Sequence, residues 1–345
     1  MTARRPRVVL LMRREHPGYH SIERLFEWIE PHLSERFAVR IVRVPCQSSG
    51  LVGCVRNLAF TARQRADVIH VTGDIQYCAL AVRRRRCVLT IHDLGSLGRL
   101  AGIRKRLFAL LWYALPVRWA GHVTVISAET GRQLARSFPA AAGKADVIPN
   151  GVGDAFRDSY RAVRTRAGKL RLLQVGTAPN KNLERVAAAA AGLPAQLRII
   201  GTLSAEQRSA LDSLDLEWSS AAGLPADELV REYRDSDVLV FASTYEGFGL
   251  PVAEAQAIGL PVMTSGIAPM TDVAGDGALF VDPHDVREIR SGLERLIGSP
   301  ELARRLSEAG RRNAERFGTR AVADRYAAVY ERAIRPAGPR RSGSG

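Results

Sequence analysis

Two glutamates and a lysine carry the most readable chemistry in this sequence. Glu246 and Glu254 have seven residues between them in Tyr245-Glu246-Gly247-Phe248-Gly249-Leu250-Pro251-Val252-Ala253-Glu254, just after the apolar run Val238 to Phe241. Gly247 and Gly249 allow a tight turn and close ligand approach, and Pro251 suits the first turn of a helix, where its missing N–H costs nothing. Amides near Gly249 and Leu250 can then cradle a diphosphate at the positive end of that helix. Carboxylates only accept hydrogen bonds, so the two glutamates suit hydroxyls and not phosphates. Lys181, in Asn180-Lys181-Asn182, is a cation set between two asparagines. Two histidines stand at strand ends: His92 after Cys87 to Ile91, and His70 in Ile69-His70-Val71-Thr72-Gly73-Asp74. Each can reach a ligand, or face inward and be satisfied within the core.

Such groups need elements to hold them. Runs rich in β-branched residues alternate with helical patterns: Val8 to Met12, Val39 to Val44, Val68 to Val71, Cys87 to Ile91 and Val123 to Ile126, with helices over Ser21 to Leu33 and Ile103 to Trp119. This alternation predicts βαβ units and a parallel sheet covered on both faces. The pattern pauses at Val147-Ile148-Pro149-Asn150-Gly151, and the polar, Arg-rich segment to Gly168 reads as a linker. It restarts with strands at Leu170 to Val175, Leu197 to Ile200, Val238 to Phe241 and Pro261 to Met263, and turns wholly helical from Asp285. The expected division is 1–165, 166–320, and a last segment 321–345 whose helix crosses back to the first domain before a Pro, Gly, Ser and Arg tail. In parallel sheets ligands bind beyond the carboxyl ends of strands, where all these motifs fall.

Length and composition agree with two ordinary domains. The 345 residues are 46% hydrophobic and 25% charged, which excludes wholesale disorder and an integral membrane protein. The net charge of +15 is uneven: residues 1–168 hold 28 Lys and Arg against 12 Asp and Glu, and residues 169–345 hold 22 against 23. Arg83 to Arg86 and Arg104-Lys105-Arg106 read either as a patch for an anionic partner or as a solvated face. Cys46, Cys54, Cys78 and Cys87 show no metal-ligand spacing and read as free thiols. The apolar start is too short for a signal-peptide core, so a cytoplasmic protein is expected. The apolar run Leu107 to Val117 is about half the ~20 residues that cross a bilayer and reads as buried.

The segment around Glu246 and Glu254 closely resembles the E-x7-E signature of family 4 glycosyltransferases. Further matches are Ile148-Pro149-Asn150-Gly151-Val152, Val175-Gly176-Thr177 with Asn180-Lys181-Asn182, and Val273-Ala274-Gly275-Asp276 with Val281-Asp282-Pro283, in family order. The resemblance implies the GT-B fold: α/β, with two Rossmann-like doubly wound parallel-sheet domains facing a central cleft. It implies a retaining transferase that needs no obligatory metal and no cofactor beyond a nucleotide-diphosphate sugar as co-substrate. Carried over, Glu246 binds donor-sugar hydroxyls, Glu254 the ribose, and Lys181 the diphosphate. The backbone of Gly247, Phe248, Gly249 and Leu250 meets the phosphates, with Gly176, Thr177, Asn180 and Gly201 also on the donor side. His92, Lys181 and Glu246 form the implied catalytic set, and Gly18, His70 and Asp93 the acceptor side. Thr177 stands where many members have an arginine, so half of the usual cationic clamp is missing or supplied elsewhere. The junction also reads Gly153 where an aspartate often stands, which leaves the role of Asp154 open.

The function this implies is transfer of a hexosyl group, with mannosyl suggested by general resemblance, to a glycan or lipid-linked acceptor in cell-envelope or exopolysaccharide synthesis. Donor in the second domain, acceptor in the first, and closure that excludes water complete the expected scheme. The basic first domain fits peripheral contact with an anionic inner membrane face. Alternatives of the same architecture are a nucleotide-sugar epimerase or a phosphorylase. A nucleic-acid-binding protein is disfavoured, because no helix-turn-helix, RRM, KH or zinc-finger pattern is present.

Overall fold

The computed structural model describes residues 4–14, 21–48, 50–98, 100–163 and 168–335. The chain divides into two compact units: residues up to Pro149 together with the chain from Arg320, and Asn150–Thr319.

The first unit is a six-stranded parallel sheet. Its strands are β1 (Arg7–Met12), β2 (Ala38–Arg43), β3 (Val68–Val71), β4 (Cys87–Ile91), β5 (His122–Val125) and β6 (Ala145–Val147), in the order β2-β1-β3-β4-β5-β6. β1, β3 and β4 are buried on both faces. On one face, the helix Ser21–Ser34 turns Ile22, Leu25, Phe26, Ile29 and Leu33 inward at helical spacing. The helix Thr319–Ile334 joins the same cluster through Val322, Tyr326, Val329 and Tyr330. Each fully buried side chain of this kind contributes roughly 1.5–3 kcal/mol.

The second unit repeats the architecture with β7 (Leu170–Val175), β8 (Ala195–Ile200), β9 (Glu217–Ala221), β10 (Val238–Phe241), β11 (Val262–Ser265) and β12 (Ala278–Val281). The order β12-β11-β10-β7-β8-β9 is the doubly wound one, and its direction reverses between β7 and β10. The same reversal in the first unit lies between β1 and β3, since β1 pairs with both β2 and β3.

Several expectations need correction. Of the segment read as a linker, residues 150–161 are built into the second unit: Asp154–Asp158 is helical, Phe156 is buried against Tyr233, and the Arg161 amide donates to the Ile258 carbonyl. The apolar run read as buried is half so: Tyr113 and Val117 are covered, but Leu107, Leu110 and Leu115 are exposed. One continuous helical stretch with a π-helical middle, Ala109–Ala114, turns them outward. Two strands were not foreseen, and both are edge strands: β9 reads Glu-Trp-Ser-Ser-Ala and offers no apolar run, and β12 is the short apolar run Ala-Leu-Phe-Val. The helix Leu51–Ala62 also lacked a periodic signature, because its Leu51, Val52 and Val55 are exposed.

Candidate active site

In the second unit the motif residues converge where the sheet order reverses. β7 ends at Val175, and Gly176 follows with φ 92°, a left-handed conformation that a side chain resists. A Cβ there would also lie 2.9 Å from Lys181 Cγ and Cε, so the absent side chain lets the lysine stem lie across the strand end. Gly201, after β8, gives way in the same manner to Thr177, whose Cγ2 would sit 2.9 Å from an added Cβ.

The loops after β7 and β10 are stitched together. The Thr244 amide donates to the Asn180 carbonyl at 2.9 Å, and Asn180 Nδ2 donates to the Tyr245 carbonyl at 2.9 Å. Asn182, left-handed at φ 61°, donates from Nδ2 to the carbonyls of Ala242 and Pro283. Gln174 Nε2 donates to the Lys181 carbonyl at 2.9 Å. This bracing fixes the side chain that matters: Lys181 Nζ lies 2.6 Å from Glu246 Oε1 and 4.6 Å from the centre of the Phe241 ring. Cation and carboxylate are each mostly covered, with side chains 19% and 12% exposed, which strengthens their attraction over that of a surface pair.

Gly249 precedes the helix Leu250–Ile258 at φ 93°, ψ 47°, with Pro251 in the first turn as its missing donor allows. An added Cβ at Gly249 would meet nothing closer than 3.7 Å, so conformation and not space demands the glycine. The Phe248 ring is buried against Phe317, which leaves its backbone as the part that can meet a ligand. Glu254, one turn inside the helix, is 6% exposed, and Tyr233 donates its hydroxyl to Oε2 at 2.6 Å. Thr177 brings no cation: its hydroxyl donates to the Thr202 carbonyl, and its carbonyl accepts from Gln207 Nε2.

In the first unit, His92 is buried beside Gly73, where an added Cβ would lie 2.6 Å from the imidazole Cδ2. Nε2 lies 2.7 Å from the Thr72 carbonyl, which can only accept, so Nε2 carries the proton and Nδ1 of the neutral ring is an acceptor. Burial first, and the nearby Arg13 guanidinium, lower its pKa against the pull of the Thr72 carbonyl, Asp74 and Asp93, which keeps the ring neutral. Arg13, the first residue after β1, is gripped by Glu23 at 2.7 Å and by Asp74. Burial lowers the Arg13 pKa, but these two carboxylates more than offset it and the net shift is upward.

The structure gives His70 its partners within the core of the first unit. The side chain is fully buried, with Nδ1 2.8 Å from the Tyr330 hydroxyl, Nε2 2.7 Å from Thr90 Oγ1, and Phe26, Tyr326 and Tyr330 around the ring. Burial, then the neighbouring His92, depress its pKa to about 3. Asp93 serves a turn, with Oδ1 accepting from the Gly95 amide at 2.7 Å. Gly18 lies outside the described residues. Tyr233, Phe241, Arg13, Glu23 and Asp74 were not singled out by sequence reasoning. Only Asp74, beside Gly73 at a strand end, carried a local signal.

Comparison with known proteins agrees with this architecture. The family described as Glycosyltransferase Family 4 matches residues 4–156, and that described as Glycosyl transferases group 1 matches residues 156–313. The chain is 30% identical over 259 residues to the MMP alpha-(1->4)-mannosyltransferase of Mycolicibacterium hassiacum, covering 66% of this chain and only 61% of that relative's length. It is 27% identical over 325 residues to a D-inositol 3-phosphate glycosyltransferase of Thermobispora bispora, covering 83% of this chain and 75% of the relative. Its fold resembles sucrose-phosphate synthase from Thermosynechococcus elongatus with a TM-score of 0.76 at 19% identity, over 95% and 98% of the two chains. With two six-stranded parallel-sheet units and both family halves matched in order, the chain belongs to glycosyltransferase family 4 and has the GT-B fold.

Proposed function

We propose that this protein is a retaining, metal-independent hexosyltransferase, moving a mannosyl or similar group from a nucleotide-diphosphate sugar to a glycan or lipid-linked acceptor in cell-envelope or exopolysaccharide synthesis. The observation that carries the reading is the 2.6 Å approach of Lys181 to Glu246 beside the Gly249 helix start. There a cation, a hydroxyl acceptor and the amides of a helix start share the carboxyl edge of one sheet. Lys181 and the Gly249 and Leu250 amides take the diphosphate, Glu246 takes donor-sugar hydroxyls, and Glu254 takes the ribose. In the reaction the anomeric carbon–oxygen bond to the diphosphate breaks, and the acceptor oxygen bonds to that carbon on the same face. The acceptor's proton passes to the leaving phosphate oxygen. Lys181 stabilises the charge that grows there. A mannosyltransferase among the relatives supports the sugar, and an inositol phosphate glycosyltransferase supports glycosyl transfer.

The first unit is proposed to hold the acceptor. His92, with Nε2–H spent on the Thr72 carbonyl, takes a sugar hydroxyl through Nδ1 and is not a donor to phosphate. The Arg13, Glu23 and Asp74 group supplies polar contacts at the unit's own reversal point, in place of His70. The same unit is proposed to touch an anionic membrane as a peripheral protein at the cytoplasmic face. Exposed Leu51, Val52, Val55, Ile103, Leu107 and Trp119 lie on helices with exposed Arg56, Arg104, Lys105, Arg106 and Arg118, and the sequence from Ala38 to Ala66 and from Leu94 to Ala128 contains no Asp or Glu. Among the described residues no helix is long and apolar enough to cross a membrane. The test is incubation with UDP-, GDP- and dTDP-sugars with and without acceptor, followed by NMR of the product's anomeric centre. Acceptor-dependent release of nucleoside diphosphate with retained configuration supports the proposal; inversion, or epimerised sugar alone, refutes it.

A further inference from the structure

Glu254 sits where few carboxylates are found, 94% covered on the inner side of the helix Leu250–Ile258, and one of its oxygens already has an assigned donor. That donor, the Tyr233 hydroxyl, comes from a different helix, Ala226–Asp235, at 2.6 Å, the short distance of a charge-assisted O–H bond. The Tyr233 ring is completely buried and wedged edge-on against Phe156, with ring centres 5.2 Å apart at 88°. It therefore cannot swing away without opening the core. Burial, and then the adjacent Glu254 carboxylate, push the phenol pKa well above its ordinary value, so the hydroxyl remains a donor throughout the working pH range.

A glutamate side chain has three rotatable bonds, and in a helix it leans toward the N-terminus, here toward Gly249. Anchoring Oε2 removes most of that rotational freedom and sets the direction in which the other oxygen faces. We infer that Tyr233 is a positioning residue of the nucleotide site, holding Glu254 to receive the ribose hydroxyls, and that the site thereby prefers ribonucleotides to 2′-deoxyribonucleotides. The inference rests on the donor site proposed above and adds to it a residue and a selectivity.

The test is calorimetric titration of the full chain with UDP, GDP and their 2′-deoxy counterparts. The wild type is expected to bind at least one ribonucleotide on the order of tenfold more tightly than its deoxy form, as a hydrogen bond to a charged group supplies. Tyr233→Phe is expected to cut that ratio several-fold while affinity for inorganic pyrophosphate stays the same, a split that a purely structural role would not produce. A ratio unchanged by Tyr233→Phe, or no ribose preference in the wild type, overturns the inference and leaves the donor site standing. Failure of every nucleotide to bind the wild type overturns the donor site and the inference with it. Should Tyr233→Phe not fold, the Tyr233→Phe/Glu254→Gln double variant removes the buried charge beside the lost hydroxyl, and is compared with Glu254→Gln alone. A lower ratio in the double variant supports positioning by Tyr233, and equal ratios overturn it.

Discussion

Gly176→Ala separates the chemistry of the donor site from its architecture. At φ 92° an alanine is strained, at a cost of roughly 1–2 kcal/mol. For a unit of this size that is a fall of about 2–4 °C in melting temperature per kcal/mol. The new Cβ would also meet Lys181 Cγ and Cε at 2.9 Å and Cδ at 3.1 Å, so the stem must move by about half an ångström to reach ordinary contact near 3.4 Å. Its ammonium group is pinned against Glu246 at 2.6 Å and cannot follow freely. Displacing a charge-stabilising group by up to ~1 Å costs on the order of 10- to 100-fold in rate. Gly223→Ala is the control, because φ is 67° and no atom lies within 4 Å of the added carbon. Both variants should lose similar stability by thermal melting, and only Gly176→Ala should lose turnover per folded molecule. Equal activity in the two would refute the claim that Gly176 exists to admit Lys181.

Lys181→Ala and Glu246→Ala should each lower turnover about 100- to 1,000-fold with far-UV circular dichroism unchanged, since each removes charge or hydroxyl contacts made as the leaving group departs. His70 holds its pKa near 3 when folded against 6.5 in the free side chain, so between those values the unfolded chain takes up the extra proton and stability falls as pH drops. Denaturant melts at pH 7, 6, 5 and 4 should show this slope. His70→Gln should flatten it by up to about 1.4 kcal/mol per pH unit while lowering stability at pH 7 by about 1–3 kcal/mol, with rate per folded molecule unaffected. Vesicles rich in phosphatidylglycerol should sediment the wild type, and Ile103→Glu/Leu107→Glu should weaken that several-fold; retention indifferent to anionic lipid would contradict the membrane reading.

The fold was legible because alternation of short β-branched runs with helices permits little besides parallel sheets, and the donor motif was legible because its glycines, proline and carboxylates are contiguous. What escaped depends on residues distant in the chain. His70 and His92 both read as strand-end residues, yet His70 lies inside β3, in register with Val88, and is claimed by Tyr330, 260 positions away on the helix Thr319–Ile334, while His92 follows the end of β4. Tyr233 was invisible as a site residue because an isolated tyrosine on an amphipathic helix looks like any core aromatic. The Leu107 to Val117 run misled because apolarity predicts burial on average, and here Leu107, Leu110 and Leu115 stay exposed.

The central claim is that Lys181 and Glu246 together bind a sugar nucleotide. Thermal melting of the wild type, Lys181→Ala and Glu246→Ala with UDP-, GDP- and dTDP-sugars tests it directly. At 100 times its dissociation constant a true donor should stabilise the wild type by about 2.7 kcal/mol and raise its melting temperature by several degrees, and the shift should vanish in both variants. No shift with any nucleotide sugar, or an undiminished shift in both variants, would contradict it.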